Sequence, residues 1–270
     1  MSTSSSGFVG DIPSHYDGGL GPNIFHDYGD RLASLCSGDS AQTVIELAAG
    51  TGIVSRKLRD QLPSDTPLLV TDLNQPMLDV ARAKFSASEN VEFQVANAME
   101  LPFENEAFDL MVCQFGVMFF PDKPASYREA ARVLKPGGRY LFNVWGSMSE
   151  NPFSEMAHNV AARFFPDNPP GFYAVPFHYG DAQAVRADLE AGGWDDIEHE
   201  TINLEKEIVD HEAFGRALVY GNPLIDEIRE RGGVDPEEVV AEMQVGLRSA
   251  FGSNEMKMPL SATTFVCRKS

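Results

Sequence analysis

Residues 44–52 read VIELAAGTG and decide the fold of this chain. The apolar first half is typical of a buried strand, and the second half holds small residues ahead of an amphipathic stretch at 54–61. Small residues let a ligand contact backbone amides, and the N-terminus of a following helix adds positive potential. The segment therefore predicts a strand, a ligand-binding turn and a helix in succession.

The same alternation extends along residues 43 to 142. Short runs rich in β-branched or aromatic residues alternate with amphipathic stretches, as in a parallel sheet built of strand, helix and strand. We therefore predict an α/β fold. Its predicted strands are 43–48, 68–71, 91–95, 108–114 and 139–144, and its predicted helices are 54–61, 76–85 and 124–134.

Beyond residue 146 the order loosens into Pro-rich connections between further elements. No repeat and no linker-like stretch divides the chain, so a single domain is expected. Residues 208–253 are predicted to be a helical insertion before the last strand that caps one end of the sheet. The elements predicted in this half are helices at 182–191, 214–219, 223–231 and 236–249 and strands at 196–204 and 262–266.

Composition excludes several classes of protein. With 43% hydrophobic residues in 270, the chain can bury a sizeable core, yet no apolar run is long enough to span a membrane. Lys+Arg 21 against Asp+Glu 40 gives a net charge of -19, which repels phosphate backbones and anionic membrane surfaces. Neither nucleic acid nor a membrane is expected as a partner. Cys36, Cys113 and Cys267 form no CxxC pair, which favours a reducing, cytoplasmic location.

An acidic residue ends the next predicted strand. Asp72 lies 20 residues beyond Gly52, where a carboxylate can accept both hydroxyls of a ribose. Alone, Gly50 and Gly52 could simply make a tight turn, and Asp72 could simply cap a helix. Their joint placement at the ends of consecutive strands predicts an adenosine-containing ligand.

At five successive places the chain resembles the class I S-adenosylmethionine-dependent methyltransferases. Residues 46–52 resemble the first motif, E-x-[GA]-x-G-x-G, with Ala48 in its first small position. Asp72 and Leu73 resemble the ribose-binding segment, and Met77 falls where the family often packs an apolar side chain on the adenine.

Three further segments carry the resemblance. Residues 97–99 resemble the Asp-Ala segment that contacts the adenine amino group, with Asn97 in place of the acid; its amide oxygen can still accept a hydrogen bond. Residues 108–116 resemble the motif whose end lies beside the transferred methyl, and residues 134–138 resemble the turn before the fifth strand. The cofactor-binding residues that the resemblance implies are Glu46, Ala48, Gly50, Gly52, Asp72, Leu73, Met77, Asn97, Ala98, Met99 and Gln114.

The resemblance implies a Rossmann-like, seven-stranded sheet with helices on both faces and a final antiparallel hairpin. It also implies S-adenosylmethionine as cofactor and in-line methyl transfer to a small-molecule acceptor. Within the superfamily the likeness is to the group that includes the quinone-biosynthesis methyltransferases. The expected organisation is an N-terminal lid (1–40), a cofactor-binding core (41–146), a substrate-side region (147–207), the helical insertion (208–253) and a terminal strand (254–270).

The acceptor side gives weaker signals. Residues 115–120 form an apolar run at the carboxyl end of a strand, where open α/β sheets bind ligands, so Phe115 and Met118 are predicted to wall an acceptor pocket. Methyl transfer depends chiefly on alignment in a dry pocket, and a general base matters only where the acceptor must lose a proton. Tyr16, His15 and Tyr28 of the predicted lid are candidate bases, against the alternative that they are packing or surface residues. The histidine spacing indicates no metal site.

Two other functions stay open on the sequence. Residues 50–55 nearly match the G-x-G-x-x-G pattern of NAD(P)-dependent oxidoreductases, although Ser55 replaces the last glycine. A non-catalytic module that binds S-adenosylmethionine is the other alternative, because a fold alone does not establish an activity. The sequence also leaves a homodimer open.

Overall fold

The computed structural model describes residues 6–37, 41–253 and 255–270. Seven strands form one mixed sheet in the order β3-β2-β1-β4-β5-β7-β6. The first five strands are parallel to one another, while β7 lies antiparallel between β5 and β6. The predicted α/β fold with a final antiparallel hairpin is thus confirmed. The strands are β1 Val44–Glu46, β2 Leu68–Asp72, β3 Val91–Val95, β4 Phe108–Gln114, β5 Leu134–Trp145, β6 Asp196–Glu207 and β7 Lys257–Arg268.

Side chains of the central strands are buried alternately in two hydrophobic cores. Val44 of β1 belongs to one core, and Ile45, its neighbour, belongs to the other. The same alternation places Val112 in the first core and Cys113 in the second. Since successive side chains of a strand point to opposite faces, helices must cover both faces of the sheet. This explains why these strands read as nearly continuous apolar runs.

Helices cover the two faces and begin where the sequence offers caps. The carboxylate of Asp122 accepts the backbone N–H of Ala125 at 2.9 Å, and aspartates play the same part before three later helices. The helices of the core are α3 Ile53–Gln61, α4 Gln75–Arg82, α5 Lys123–Val133, α6 Pro152–Phe164, α7 Ala174–Phe177 and α8 Ala182–Ala191.

Helix α6 differs from the sequence prediction, which placed only Pro-rich connections in this region. Pro152 occupies the first turn of the helix, where its missing N–H costs no hydrogen bond. The side chain of Asn151, the residue before it, bridges to the backbone of Ser261 in β7. Pro152, which in the sequence indicates a loop, is therefore the first residue of a helix in the structure.

The N-terminal segment consists of α1 Ile12–His15, a π-helix Tyr16–Phe25 and α2 His26–Ser34. π-Helices are rare and frequently occur at functional sites. A Cβ added to Gly19 would lie 2.3 Å from Cβ of Ala217, so this glycine allows close contact with the helical insertion. The predicted lid residues 38–40 lie outside the described residues, as do residues 1–5.

The predicted insertion comprises three helices between β6 and β7. They are α9 His211–Tyr220, α10 Leu224–Arg231 and α11 Pro236–Phe251. Buried residues of all three belong to the larger core, so they pack on the body of the domain. Within the described residues, no helix combines the length and apolarity that crossing a bilayer requires.

Candidate active site

A cavity of about 280 Å³ opens at the carboxyl ends of strands β1 to β4. This edge of a parallel sheet is where open α/β folds bind ligands. Its lining includes most of the residues predicted to bind a cofactor, drawn from four separate strand ends. Those brought together are Ala48, Gly50, Asp72, Leu73, Met77, Asn97, Ala98, Met99 and Gln114.

The loop after β1 is held in a conformation that small residues favour. Gly50 has φ +57° and Ala48 has φ +48°, both in the left-handed region. The backbone N–H of Ala49 donates to the carbonyl of Thr71 at 2.9 Å, which ties the loop to β2. A Cβ added to Gly50 would lie 3.8 Å from Cε of Met77, within reach of the cavity. The loop thus leaves its backbone open to a ligand.

Asp72 is buried at the end of β2 and lines the cavity. One carboxylate oxygen accepts the N–H of Gly50 at 2.9 Å, and the other accepts the N–H of Asn74 at 2.8 Å. Burial raises the pKa of Asp72, and these hydrogen bonds partly oppose that rise. Oδ1 also accepts the Asn74 side-chain amide at 3.3 Å, so Oδ2, which accepts the Gly50 N–H, is the oxygen with more capacity for a ribose hydroxyl.

Gln114 at the end of β4 offers a buried acceptor atom with nothing bound to it. Its Nε2 donates to the carbonyl of Phe25 at 3.2 Å, while its Oε1 is buried without a partner among the described residues. Buried polar atoms in native proteins are nearly always satisfied. Gln114 therefore fits a site whose ligand completes the hydrogen bonding.

Asn97 and Met77, to which the resemblance assigns the adenine, both line the cavity. The Asn97 side-chain oxygen accepts the N–H of Met99 at 3.0 Å, which fixes the turn after β3. Met77 is buried at the start of α4 and contributes an apolar wall. An acceptor oxygen and an apolar surface are the two features that a purine with an exocyclic amine requires.

Two predicted cofactor residues do not line the cavity. Glu46 is buried below it, where the Ser55 hydroxyl donates to its carboxyl at 2.5 Å, and burial raises the pKa of Glu46 to about 8. Gly52, with φ +78°, precedes α3, and a Cβ there would lie 2.8 Å from Cβ of Ala81. Glu46 and Gly52 therefore pack next to the loop and are not part of the cavity lining.

A second cavity, of about 60 Å³, adjoins the first and is lined chiefly by aromatic rings. The Phe115 ring stacks on the Trp145 indole with centroids 3.9 Å apart and an angle of 2°. Phe115 has φ +50°, and its N–H donates to the Asn143 side chain at 3.1 Å, which holds this unfavourable backbone. Both predicted acceptor-pocket residues, Phe115 and Met118, line this cavity. The two cavities share Phe8, Tyr16, Phe115 and Phe119.

The three candidate bases have different surroundings. Tyr16 lines both cavities, and burial together with the charges of Asp72 and Asp17 raises its pKa. The Tyr28 hydroxyl lies outside both and donates to the carbonyl of Ile202 at 3.2 Å. The His15 ring packs against Tyr220, with centroids 5.3 Å apart, and does not line either cavity. Of the three, only Tyr16 is placed to meet a substrate.

Sequence reasoning did not assign several lining residues. Phe8, Phe177 and Asn222 line the cavities although they lie far in sequence from the predicted motifs, and no local pattern links them. Asn74 had a signal, because it lies two residues after Asp72, the predicted ribose acid. In the parts of the chain that the structure describes, no group of His, Cys, Asp or Glu could hold a metal ion, and the three cysteines are buried thiols.

The fold and its cavity together define the class of Rossmann-like methyltransferase domains. Residues 23–167, more than half of the chain, match the model of the ubiE/COQ5 methyltransferase family. The chain therefore belongs to the ubiE/COQ5 methyltransferase family.

Similar proteins agree with this assignment. The ubiquinone/menaquinone biosynthesis C-methyltransferase UbiE of Escherichia coli O1:K1 / APEC is 38% identical over 134 residues, which cover 48% of this chain and 53% of that protein. The chain thus spans about half the length of the curated relatives that it matches.

Two solved structures share the fold. YcgJ from Bacillus subtilis has a TM-score of 0.59 at 21% identity, covering 90% of this chain and 99% of its own. Phosphoethanolamine N-methyltransferase 2 from Haemonchus contortus, solved with S-adenosyl-L-methionine, has a TM-score of 0.61 at 16% identity, covering 100% of this chain and 60% of its own. At these identities the likeness concerns the fold.

Proposed function

We propose that this protein is an S-adenosylmethionine-dependent methyltransferase that acts on a small, largely apolar acceptor. The observation that carries the proposal is the wall shared by the two cavities, formed by Phe8, Tyr16, Phe115 and Phe119. One cavity offers the acceptors and apolar surface that suit a nucleoside, and the other is lined by aromatic rings and by no charged side chain of the described residues. A transfer between two bound molecules needs this adjacency.

The residues of the larger cavity have distinct roles in the proposal. Asp72 accepts the ribose hydroxyls, Met77 and Asn97 recognise the adenine, and the backbone around Gly50 receives the amino-acid end. Gln114 lines the larger cavity next to Phe115, which lines both, and its Oε1 can accept a hydrogen bond. When bound, S-adenosylmethionine supplies a methyl group on a sulfonium for in-line displacement.

In the proposal, the aromatic cavity orients the acceptor and excludes water from it. Ten of its 16 lining residues are aromatic, and none of those described carries a charged side chain. Two of its polar residues are bonded within the protein: the Tyr173 hydroxyl donates to the carbonyl of Leu218 at 2.7 Å, and the Asn222 oxygen accepts the N–H of Leu224 at 3.0 Å. Exclusion of water strengthens the fixed dipoles and aligns the nucleophile. An acceptor that suits this cavity is uncharged and brings its own nucleophilic electron pair.

Tyr16 has the role of a hydrogen-bond donor at the junction. Because burial raises its pKa, the hydroxyl stays protonated at neutral pH and is unsuited to act as a base. Its position in both linings lets it orient the acceptor against the methyl donor.

The expectations of a cytoplasmic protein without a nucleic-acid partner rest on charge and cysteine usage, and a homodimer stays open.

Ligand binding tests the cofactor half of the proposal. Calorimetric titration should show that S-adenosylhomocysteine binds and that NAD does not. S-adenosylhomocysteine should also raise the melting temperature, because a ligand that binds only the folded state stabilises that state. Binding of NAD in place of S-adenosylhomocysteine would favour the oxidoreductase alternative.

A transfer assay tests the activity. Protein incubated with methyl-labelled cofactor and cell extract should yield a labelled small molecule, and a reduced quinone ring is the first pure acceptor to try because of the relatives' name. Binding without any labelled product would identify a non-catalytic module. Efficient labelling of protein or nucleic acid would contradict the small-molecule acceptor.

A further inference from the structure

Three segments that are distant in sequence meet at one carboxylate under the N-terminal segment. Oδ1 of Asp17, in the π-helix, accepts the Thr51 hydroxyl at 2.6 Å and the Lys84 ammonium at 2.5 Å. Thr51 belongs to the loop between β1 and α3, and Lys84 follows α4. Asp17 therefore joins the N-terminal segment to the cofactor loop and to the helix after the ribose acid.

We propose that Asp17 is a positioning residue of this site. It ties the N-terminal segment to the loop of Gly50 and thereby holds Tyr16 between the two cavities. The inference rests on the proposed function, because the loop and Tyr16 matter only if a cofactor and an acceptor meet there.

Loss of the hydrogen bond and the ion pair at Asp17 should cost free energy, because both are partly or fully buried. Thr51 is fully buried, so its hydroxyl has no solvent to replace the carboxylate. The side chains of Asp17 and Lys84 are 29% and 25% exposed, so solvent weakens their ion pair less than it weakens a pair on the surface. Hydrogen bonds to an ionised acceptor are also roughly twice as strong as neutral ones.

The position of Tyr16 depends on the bonds of Asp17, because Tyr16 directly precedes Asp17 in the chain. Its ring stacks on Phe25, with centroids 4.7 Å apart, and meets the edge of Phe8 at 5.9 Å. A Cβ built on Gly50 would lie 3.9 Å from Cε1 of Tyr16, so the ring reaches the cofactor loop.

The other side of the same segment is fixed by packing. Gly19 lies against Ala217 of the insertion, with no room for a Cβ between them. The π-helix is thus packed on the insertion at one side and bonded to the cofactor loop through Asp17 at the other. Loss of the Asp17 bonds should therefore loosen the contact between the segment and the loop while the packing on the insertion persists.

The first test compares two aspartates of the N-terminal segment. Asp17→Ala should raise the Kd for S-adenosylhomocysteine about 10-fold, the effect expected when a hydrogen bond to a charged group is lost. Asp30→Ala is the matched control, because Asp30 pairs with Lys57 and lines neither cavity. It changes the net charge equally and should alter the Kd less than 2-fold. Equal Kd values for both variants and the wild type would overturn the inference.

A second set of variants separates positioning from folding. Thr51→Val removes only the buried hydroxyl in a side chain of similar shape and should weaken cofactor binding in the same direction as Asp17→Ala. Asp17→Asn keeps an oxygen for Thr51 but not the charge for Lys84, so it should restore part of the affinity. If Asp17→Ala does not fold, an unchanged Kd for Thr51→Val overturns the inference by itself.

A kinetic readout distinguishes placement of Tyr16 from cofactor affinity. With S-adenosylmethionine saturating, kcat of Asp17→Ala should remain about 10-fold low, because a displaced Tyr16 no longer orients the acceptor. A variant with normal kcat at saturation contradicts the positioning role. Failure of the wild type to bind S-adenosylhomocysteine would instead refute the proposed function, and the inference with it.

Discussion

The Asp72 carboxylate accepts the backbone N–H of Gly50 at 2.9 Å, so the end of β2 and the loop after β1 are bonded directly. Both residues line the larger cavity. A single side chain thus holds the loop and also lines the cavity proposed to bind the cofactor. Substitutions at either residue should change cofactor binding, for different reasons.

Asp72→Ala should lower the affinity for S-adenosylhomocysteine by about 1.5 to 3 kcal/mol, because it removes charge-assisted acceptors of the ribose hydroxyls. Asp79→Ala is the control: this exposed carboxylate on α4 bonds to Gln75 outside the cavity, and the charge change is the same. Calorimetric titration of both variants measures the difference. Unchanged binding in Asp72→Ala would remove Asp72 from the ribose site.

Gly50→Ala should weaken cofactor binding by filling space between Met77 and Tyr16. The left-handed backbone adds a cost of about 1 kcal/mol in stability. Gly137→Ala provides the matched control, because Gly137 has φ +76° and a Cβ there would meet nothing within 4 Å. Both variants should lose similar stability in urea unfolding, but only Gly50→Ala should lose affinity. Equal affinities would show that Gly50 serves the turn alone.

Glu46 should make the protein less stable as the pH rises. Its pKa is about 8 in the folded protein against 4.5 ordinarily, so its contribution is fully present below pH 4.5 and is lost as the pH rises through about 8. Glu46→Gln should abolish this loss, which amounts to about 3 kcal/mol between pH 6 and pH 9. Urea unfolding at both pH values, with exposed Glu92→Gln as the control, measures the effect. An identical pH response of wild type and Glu46→Gln would contradict a neutral, buried Glu46.

Tyr16→Phe should lower the rate of methyl transfer about 10-fold through loss of an orienting hydrogen bond, with little change in cofactor affinity. Tyr28→Phe removes a hydroxyl that bonds to Ile202, so it should cost about 1 kcal/mol of stability and leave the rate unchanged. Since its pKa is raised above 10, Tyr16 should also produce no loss of rate by ionisation between pH 7 and pH 10. Equal rates for the two variants would exclude an orienting role for the Tyr16 hydroxyl.

The cofactor side of the site could be predicted because its signals are local. Small residues after an apolar run and an acid at the next strand end place Gly50 and Asp72 at neighbouring carboxyl ends of a sheet, whatever the rest of the chain does. Glu46 was assigned to cofactor binding through the family resemblance, and it is the last residue of β1. Its side chain therefore points to the face of the sheet under α3, where it meets Ser55, and not out of the strand end.

The acceptor side could not be predicted in the same way. Phe8, Trp145 and Asn222 meet in one cavity although each comes from a different part of the chain. Aromatic residues in such positions have the same sequence pattern whether they fill a core or line a pocket. Asp17 is a similar case, because nothing near it in sequence indicates that Thr51 and Lys84 will converge on its carboxylate.

The position of β7 has a consequence for how the molecule is assembled during synthesis. It is the last strand of the seven along the chain, yet it lies inside the sheet, and β6 pairs with no other strand among the described residues. The ribosome therefore delivers β6 and the three insertion helices before the strand that joins them to β5. Pairings between residues so far apart in sequence form slowly. The acceptor cavity, which depends on Leu218 and Asn222 of this late region, should be completed only after the cofactor half has folded.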